Sequence, residues 1–288
     1  MDSNDTTSRR VVRMAQGMPA SDGAGVKLLR VIGQPALPDL DPFLMLDEFG
    51  SDDPKAYLAG FPDHPHRGFE TVTYMLAGRM RHRDNKGNEG LLTPGAVQWM
   101  TAARGLVHSE MPEQEDGLMQ GFQLWVNLPA KDKMGEPRYQ DIGPEHIPVV
   151  APAPGVIAKI VAGTLAGQRG PVDTGATQPV YLDLRLDAGA SIDLPLPEGH
   201  NAFVYVYAGA VEVGEPASRI TRGRVAVLSK GGRVRLAAAE TVPTDELARA
   251  ILVAGKPIGE PVAKYGPFVM NTRQELQQAF EDFQAGRF

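Results

Sequence analysis

His64-Pro65-His66-Arg67-Gly68-Phe69-Glu70-Thr71-Val72-Thr73-Tyr74-Met75-Leu76-Ala77-Gly78 is the stretch on which the reading of this chain turns. From Thr71 to Leu76 it is β-branched and aromatic, which predicts a strand, and Gly78 supplies the turn that ends it. Before that strand stands a His-x-His pair. Side chains two apart on an extended chain point to one face, so His64 and His66 aim at a common point. A second pair with the same spacing, His108-Ser109-Glu110, follows further on. Two such strands facing each other can close around one ion.

Working outward, the pattern stays that of short strands. Val26 to Ile32, Met80 to Arg83, Gly90 to Thr93, Ala96 to Thr101 and Gly121 to Asn127 are predicted strands, separated by turn signals such as Asn85-Lys86-Gly87-Asn88 and Pro94-Gly95, and Phe43 to Phe49 is an apolar segment with two acids near its end. Beyond Pro154 strands resume: Tyr181 to Leu186, Ser191 to Leu194, Asn201 to Ala208, Gly209 to Val213, Arg224 to Leu228, Arg233 to Ala237 and Ala250 to Val253. Met1 to Ala24 reads as an arm or an edge strand. One helix is predicted near the end. Thr272-x-x-Glu275 is a capping box, and Leu276, Ala279, Phe280 and Phe283 recur at helical spacing. The fold class is therefore all-β, as sandwiches or barrels, with a short C-terminal helix. Lys131 to Pro154 turns polar and then proline-rich and reads as an interdomain connection. The expected domains are 1–145, carrying a metal, and 146–288, without one.

The two halves overlay. Tyr74-Met75-Leu76-Ala77-Gly78 matches Tyr205-Val206-Tyr207-Ala208-Gly209, and Pro94-Gly95-Ala96-Val97 matches Arg222-Gly223-Arg224-Val225. Carried along without gaps, His64 and His66 fall on Pro195 and Pro197, and His108 and Glu110 on Leu236 and Ala238. A duplicated fold with a metal in the first copy only is the expectation.

Composition narrows the chemistry. The 288 residues include 29 Lys and Arg against 35 Asp and Glu, a net charge of −6 that argues against a nucleic-acid surface. The chain has no cysteine, so disulfides, thiolate metal sites and cysteine nucleophiles are excluded and any metal must sit on His, Asp or Glu. Arg9-Arg10 is not followed by the apolar run of an export signal, and no stretch has the length of a membrane span; the expected location is cytoplasmic, with no membrane partner. Three imidazoles and one carboxylate suit iron, and equally Mn, Co, Ni, Cu or Zn, and leave an octahedral ion two open positions. Glu70 shares the parity of His64 and His66 and is a candidate further ligand or an acceptor for a ligand's ring N–H. His82 lies beyond the Gly78 turn, His146 is in the connection and His200 stands alone; none is assigned to the metal. Asp47 and Glu48 read as turn or surface carboxylates. Trp99, Met100, Phe122 and Trp125 are core candidates, some of which could line a pocket for a flat ligand.

The run from His64 to Tyr74, the segment Pro94 to Ala102, Gly105 to Glu110 and Leu46 to Phe49 together resemble the pirin family of the cupin superfamily. The resemblance implies a bicupin of two jelly-roll domains packed face to face, with iron in the N-terminal one on His64, His66, His108 and Glu110. The general cupin carboxylate position corresponds to Glu70. Pirins include proteins similar to quercetin 2,3-dioxygenases and others tied to transcriptional co-regulation. The resemblance thus implies a metal-dependent dioxygenase acting on a flavonol with O₂, with Glu110 as proton acceptor. Its alternative is an iron-binding redox sensor that works through a protein partner. A monomer is expected, since the duplication can satisfy internally what other cupins satisfy by dimerising.

Overall fold

The computed structural model describes residues 7–173, 175–239 and 247–288; the first residues of the N-terminal arm lie outside them. The chain divides into two compact units. One comprises Met18–Pro144 and Ile258–Phe288, the other Met1–Gly17 and Glu145–Pro257. The expected halves 1–145 and 146–288 are corrected at both ends. The N-terminal arm belongs with the later unit, where Val11–Gln16 pairs with Arg224–Leu228, and the last segment with the earlier one, where Phe268 bridges to Arg67.

In chain order the strands are β1 (Val11–Gln16), β2 (Met18–Asp22), β3 (Val26–Ile32), β4 (Phe43–Ser51), β5 (Phe61–His66), β6 (Phe69–Ala77), β7 (Met80–Asp84), β8 (Glu89–Leu92), β9 (Val97–Thr101), β10 (Leu106–Pro112), β11 (Met119–Asn127) and β12 (Arg138–Ile142). There follow β13 (Val149–Ala153), β14 (Val156–Ala162), the short pair β15 (Thr164–Leu165) and β16 (Gln168–Arg169), β17 (Val180–Leu186), β18 (Ser191–Pro195), β19 (Asn201–Ala208), β20 (Ala210–Val213), β21 (Ser218–Thr221), β22 (Arg224–Leu228), β23 (Arg233–Ala238) and β24 (Ala248–Gly255). A hairpin, β25 (Ala263–Tyr265) and β26 (Phe268–Met270), leads to the helix α1 (Arg273–Gln284). Both halves of the capping box at Thr272 and Glu275 are formed. Among the described residues no helix is long and apolar enough to cross a membrane.

Each unit is a jelly roll of a seven-stranded and a four-stranded antiparallel sheet. The first has the orders β12-β9-β6-β11-β4-β3-β2 and β5-β10-β7-β8; the second has β1-β22-β19-β24-β17-β14-β13 and β18-β23-β20-β21. These orders correspond strand for strand, which is the duplication expected from the sequence. The supposed connection is largely structured: β12 pairs with β9, and β13 with β14. The repeated glycines Gly78 and Gly209 both take positive φ, 81° and 61°, which glycine adopts without steric cost.

The ladders also correct the overlay. Tyr74 faces Val97 as Tyr205 faces Val225, so those positions are equivalent, and His82 then matches Val213. Glu110 is opposite His82, and Leu236 is opposite Val213. His108 is opposite His64, and Val234 is opposite Leu194. Leu106 is opposite His66, and the Leu196 N–H donates to the Gly232 carbonyl at the matching place. The equivalents of His64, His66, His108 and Glu110 are therefore Leu194, Leu196, Val234 and Leu236, not Pro195, Pro197, Leu236 and Ala238. The second unit has one residue more between β18 and β19 than the first has between β5 and β6, and two fewer between β22 and β23 than between β9 and β10, which an ungapped overlay cannot see. All four replacements are buried in one continuous aliphatic core of the second unit.

Candidate metal centre

The pairing of β5 with β10 brings the three predicted histidines together. His64 and His108 face each other directly, and the ring centroids of His64, His66 and His108 lie 4.4 to 5.1 Å apart. One nitrogen from each ring falls in a group whose members are all within 4.8 Å of one another. The rings are prepared as ligands. His64 donates Nδ1–H to the Pro62 carbonyl at 2.8 Å, which leaves Nε2 as its free lone pair. Burial pushes the pKa of His66 well below its ordinary value, with the neighbouring His64 adding to the effect. Burial does the same to His108, helped by His66, His64 and His82. Both are thus neutral at neutral pH, the form that binds a metal. Nε2 of His66 and both ring nitrogens of His108 are buried with no hydrogen-bond partner. Buried polar atoms without partners cost free energy. Three converging imidazoles, two of them in that condition, fit a metal ion.

Glu110 stands apart from the three rings. The Thr73 hydroxyl lies 2.8 Å from Oε1 of Glu110 and 2.8 Å from Oε1 of Gln123, while Gln123 Nε2 donates to Oε2 of Glu110 at 3.1 Å. This triangle needs three hydrogens. The hydroxyl brings one and the amide one, whichever way the amide is turned. The third place is left open for a proton that Glu110 can accept.

His64, His66, Glu110 and Gln123 line a cavity of about 860 Å³, within the size of small-molecule sites. Phe49, Phe61, Trp125 and Tyr265 give it aromatic walls. Trp125 packs edge-on against His66, with ring centroids 5.2 Å apart; Trp99, Met100 and Phe122 are buried core. Asp47 also reaches this cavity and is not a surface carboxylate. It is 2 % exposed and takes a bidentate pair from Arg30, Nε to Oδ1 at 2.9 Å and a terminal nitrogen to Oδ2 at 2.8 Å. Burial raises its pKa against the pull of Arg30. Glu48 is buried too.

The other candidates lie elsewhere. Glu70 accepts from the Thr101 hydroxyl at 2.7 Å, and its pKa is raised by burial; it is outside the three-ring group. His82 is fully buried and stacks on Tyr139, 3.4 Å from Asp141. His200 is in the second unit, where its carbonyl accepts from the buried Arg9. His146 is solvated beside Glu145.

Thr73, Gln123, Arg30 and the cavity wall at Lys264 to Pro267 were not singled out in the sequence. The one available signal was polarity on an inward parity, as with Gln123 two residues from Trp125. The second unit marks them clearly. By the same ladders Thr73, Gln123, Asp47 and Arg30 correspond to Val204, Leu252, Leu182 and Ile160, all core aliphatics.

A duplicated jelly roll with a three-histidine cluster in one copy is a bicupin with a metal-type site. Residues 25–126 match the family Pirin, and residues 181–288 match the Pirin C-terminal cupin domain. The chain belongs to the pirin family. It is 52 % identical, over 98 % of both chains, to a Pseudomonas aeruginosa protein named "putative quercetin 2,3-dioxygenase". The crystal structure of quercetin 2,3-dioxygenase from Acinetobacter baumannii is similar with a TM-score of 0.89 and 34 % identity, covering 98 % of this chain and 99 % of that one. A bacterial pirin from Escherichia coli, in complex with nickel(II), has a TM-score of 0.65 at 16 % identity over 85 % of this chain and 98 % of its own, a likeness of fold alone.

Proposed function

We propose that this protein is an iron-dependent dioxygenase that opens the heterocycle of a flavonol of the quercetin type, taking up O₂ and releasing carbon monoxide. His64, His66, His108 and Glu110 are the proposed ligands, and Glu110 is also the proposed proton acceptor. One observation carries the reading. Eight polar residues of the first unit, six of them lining one cavity, are replaced by hydrocarbon in a second copy of the same fold. Side chains that the fold does without are there for a ligand.

Iron would supply the redox and Lewis-acid chemistry that joins an electron-rich phenolate to O₂. The chain's own residues do the rest. The aromatic walls take a flat ring system and exclude water from it. Trp125 sets the ring beside His66. Thr73 and Gln123 hold Glu110 at the cavity, and their triangle is complete once Glu110 has taken a proton from the substrate's enolic hydroxyl. The test is an oxygen-electrode assay with quercetin on protein whose iron content is measured on the same sample. Oxygen uptake with stoichiometric carbon monoxide is expected. Iron-loaded protein that consumes no oxygen with quercetin overturns the reading.

A further inference from the structure

The segment after Pro257 returns to the first unit and forms part of the cavity wall through Lys264, Tyr265, Gly266 and Pro267. It is firmly held. Arg67, next to His66, donates to Asp282 at 2.6 Å, and its guanidinium lies 4.2 Å from the centroid of the Phe288 ring. The buried ammonium of Lys133 donates to the carbonyls of Gly68 at 2.6 Å and Val269 at 3.0 Å. A Cβ at Gly68 would come within 1.9 Å of the Val269 carbonyl oxygen, so the two strands of backbone touch there. The wall is a preformed surface, and what it presents to the cavity is worth reading.

It presents a cation. Two positive side chains line the cavity, Arg30 and Lys264. Arg30 is committed: Asp47 takes it bidentately and Asp22 holds it at 2.8 Å. Lys264 has no ion pair among the described residues. Its Nζ donates to the Leu44 carbonyl at 3.4 Å, and its pKa is lowered by burial, against the field of Asp39 and with that of Arg30. Of the carboxylates on the cavity, Asp22 and Asp47 are turned to Arg30 and Glu110 to Thr73 and Gln123, which leaves Asp63, beside His64.

We propose that Lys264 is a specificity-determining residue that receives an anionic oxygen, a carboxylate or an acidic phenol, carried by the substrate away from the ring that reacts. This rests on the dioxygenase reading for the identity of the reacting ring. The substrate class is then an aromatic enol with an acidic substituent, and a neutral flavonol is a poorer ligand than its carboxylated counterpart.

The test uses iron-loaded protein under nitrogen and two probes, 3-hydroxyflavone and 4′-carboxy-3-hydroxyflavone, with binding read from quenching of tryptophan fluorescence. A part-exposed charge pair predicts roughly fivefold tighter binding of the carboxylate at low salt, shrinking in 0.5 M salt (about a 4 Å screening length). Lys264→Met should remove the preference, Lys264→Glu should invert it and Lys264→Arg should keep it. Equal affinities in the wild-type protein, a preference unchanged in Lys264→Met, or no binding of either probe overturns the proposal. Admitting air separates the two readings. Turnover of both flavones without a carboxylate preference defeats this proposal alone; a Lys264-dependent preference without oxygen uptake defeats the dioxygenase reading alone.

Discussion

If the second unit shows what this fold does without a metal, its residues should transplant. The variant His66→Leu, His108→Val installs the equivalents Leu196 and Val234 in the first unit. In the metal-free wild-type protein, His66 and His108 bury three ring nitrogens that lack partners. Each such atom costs on the order of 1–3 kcal/mol, so removing them recovers roughly 3 kcal/mol at the lower end. Imperfect repacking takes back about 1 kcal/mol, because the replacements are similar in bulk. The metal-free variant should therefore be about 2 kcal/mol more stable. For a unit of this size that is a rise in Tm of roughly 4–8 °C. Iron should act in the opposite sense on the two proteins. A ligand at a hundred times its Kd stabilises the wild type by about 2.7 kcal/mol and the variant not at all. Calorimetry with and without ferrous iron under nitrogen, with iron per chain measured on the same samples, reads both effects. A variant that retains iron would show that the three rings are not the site. A variant less stable than metal-free wild type would show that the rings are structural and that the comparison between the copies misleads.

Three further outcomes follow from the same geometry. Glu110→Gln supplies the third hydrogen of the triangle but cannot accept a proton, so kcat with quercetin, expressed per bound iron measured on the same sample, should fall by about 10²–10⁴-fold while calorimetry shows an unchanged fold. Asp282→Asn leaves Arg67 buried without its counter-charge beside His66, and should weaken iron binding severalfold in titration calorimetry, with Asp282→Glu recovering part of it. The Lys133 ammonium, 1 % exposed, has its pKa lowered from 10.5 to about 8 by burial. Between those values the unfolded chain holds more protons than the folded one. Stability should therefore rise with pH from about 8 to about 10.5, by up to about 1.4 kcal/mol per unit, and be fully present only above that range. The difference between wild type and Lys133→Met in denaturant titrations across that range isolates the slope.

The parts of this structure that were legible in the sequence are those set by neighbours along the chain. Alternation and turn residues gave the strands, the Thr272–Glu275 box gave the helix start, and the parity of His64 with His66, set against His108 on a second strand, gave the three-ring cluster. What was not legible depends on partners far away. Asp47 looked like a turn carboxylate because its burial is made tolerable by Arg30, on a neighbouring strand. The ends of the chain were assigned to the wrong units because an edge strand carries no mark of which sheet it will join; β1 completes the second unit's sheet where β12 completes the first. Lys264 gave no signal at all, since only the hairpin it sits on brings it to the cavity.

The register correction changes more than four residue numbers. On the ungapped overlay, two of the metal residues were matched by prolines at and just past the end of β18, which could mean simply that the second copy has a different loop there. With the ladders in place, every member of the constellation, from Arg30 on β3 to Gln123 on β11, has a buried aliphatic partner at the same point of the same sheet. Burying an unpaired polar group costs free energy and burying a methylene gains about 0.8 kcal/mol. The second unit is thus what folding stability alone selects at these positions, and the first unit departs from it at eight places that converge on one cavity and one cluster of rings. A scatter of polar substitutions would fit a core under weak constraint; this convergence fits a site built at the expense of the core around it.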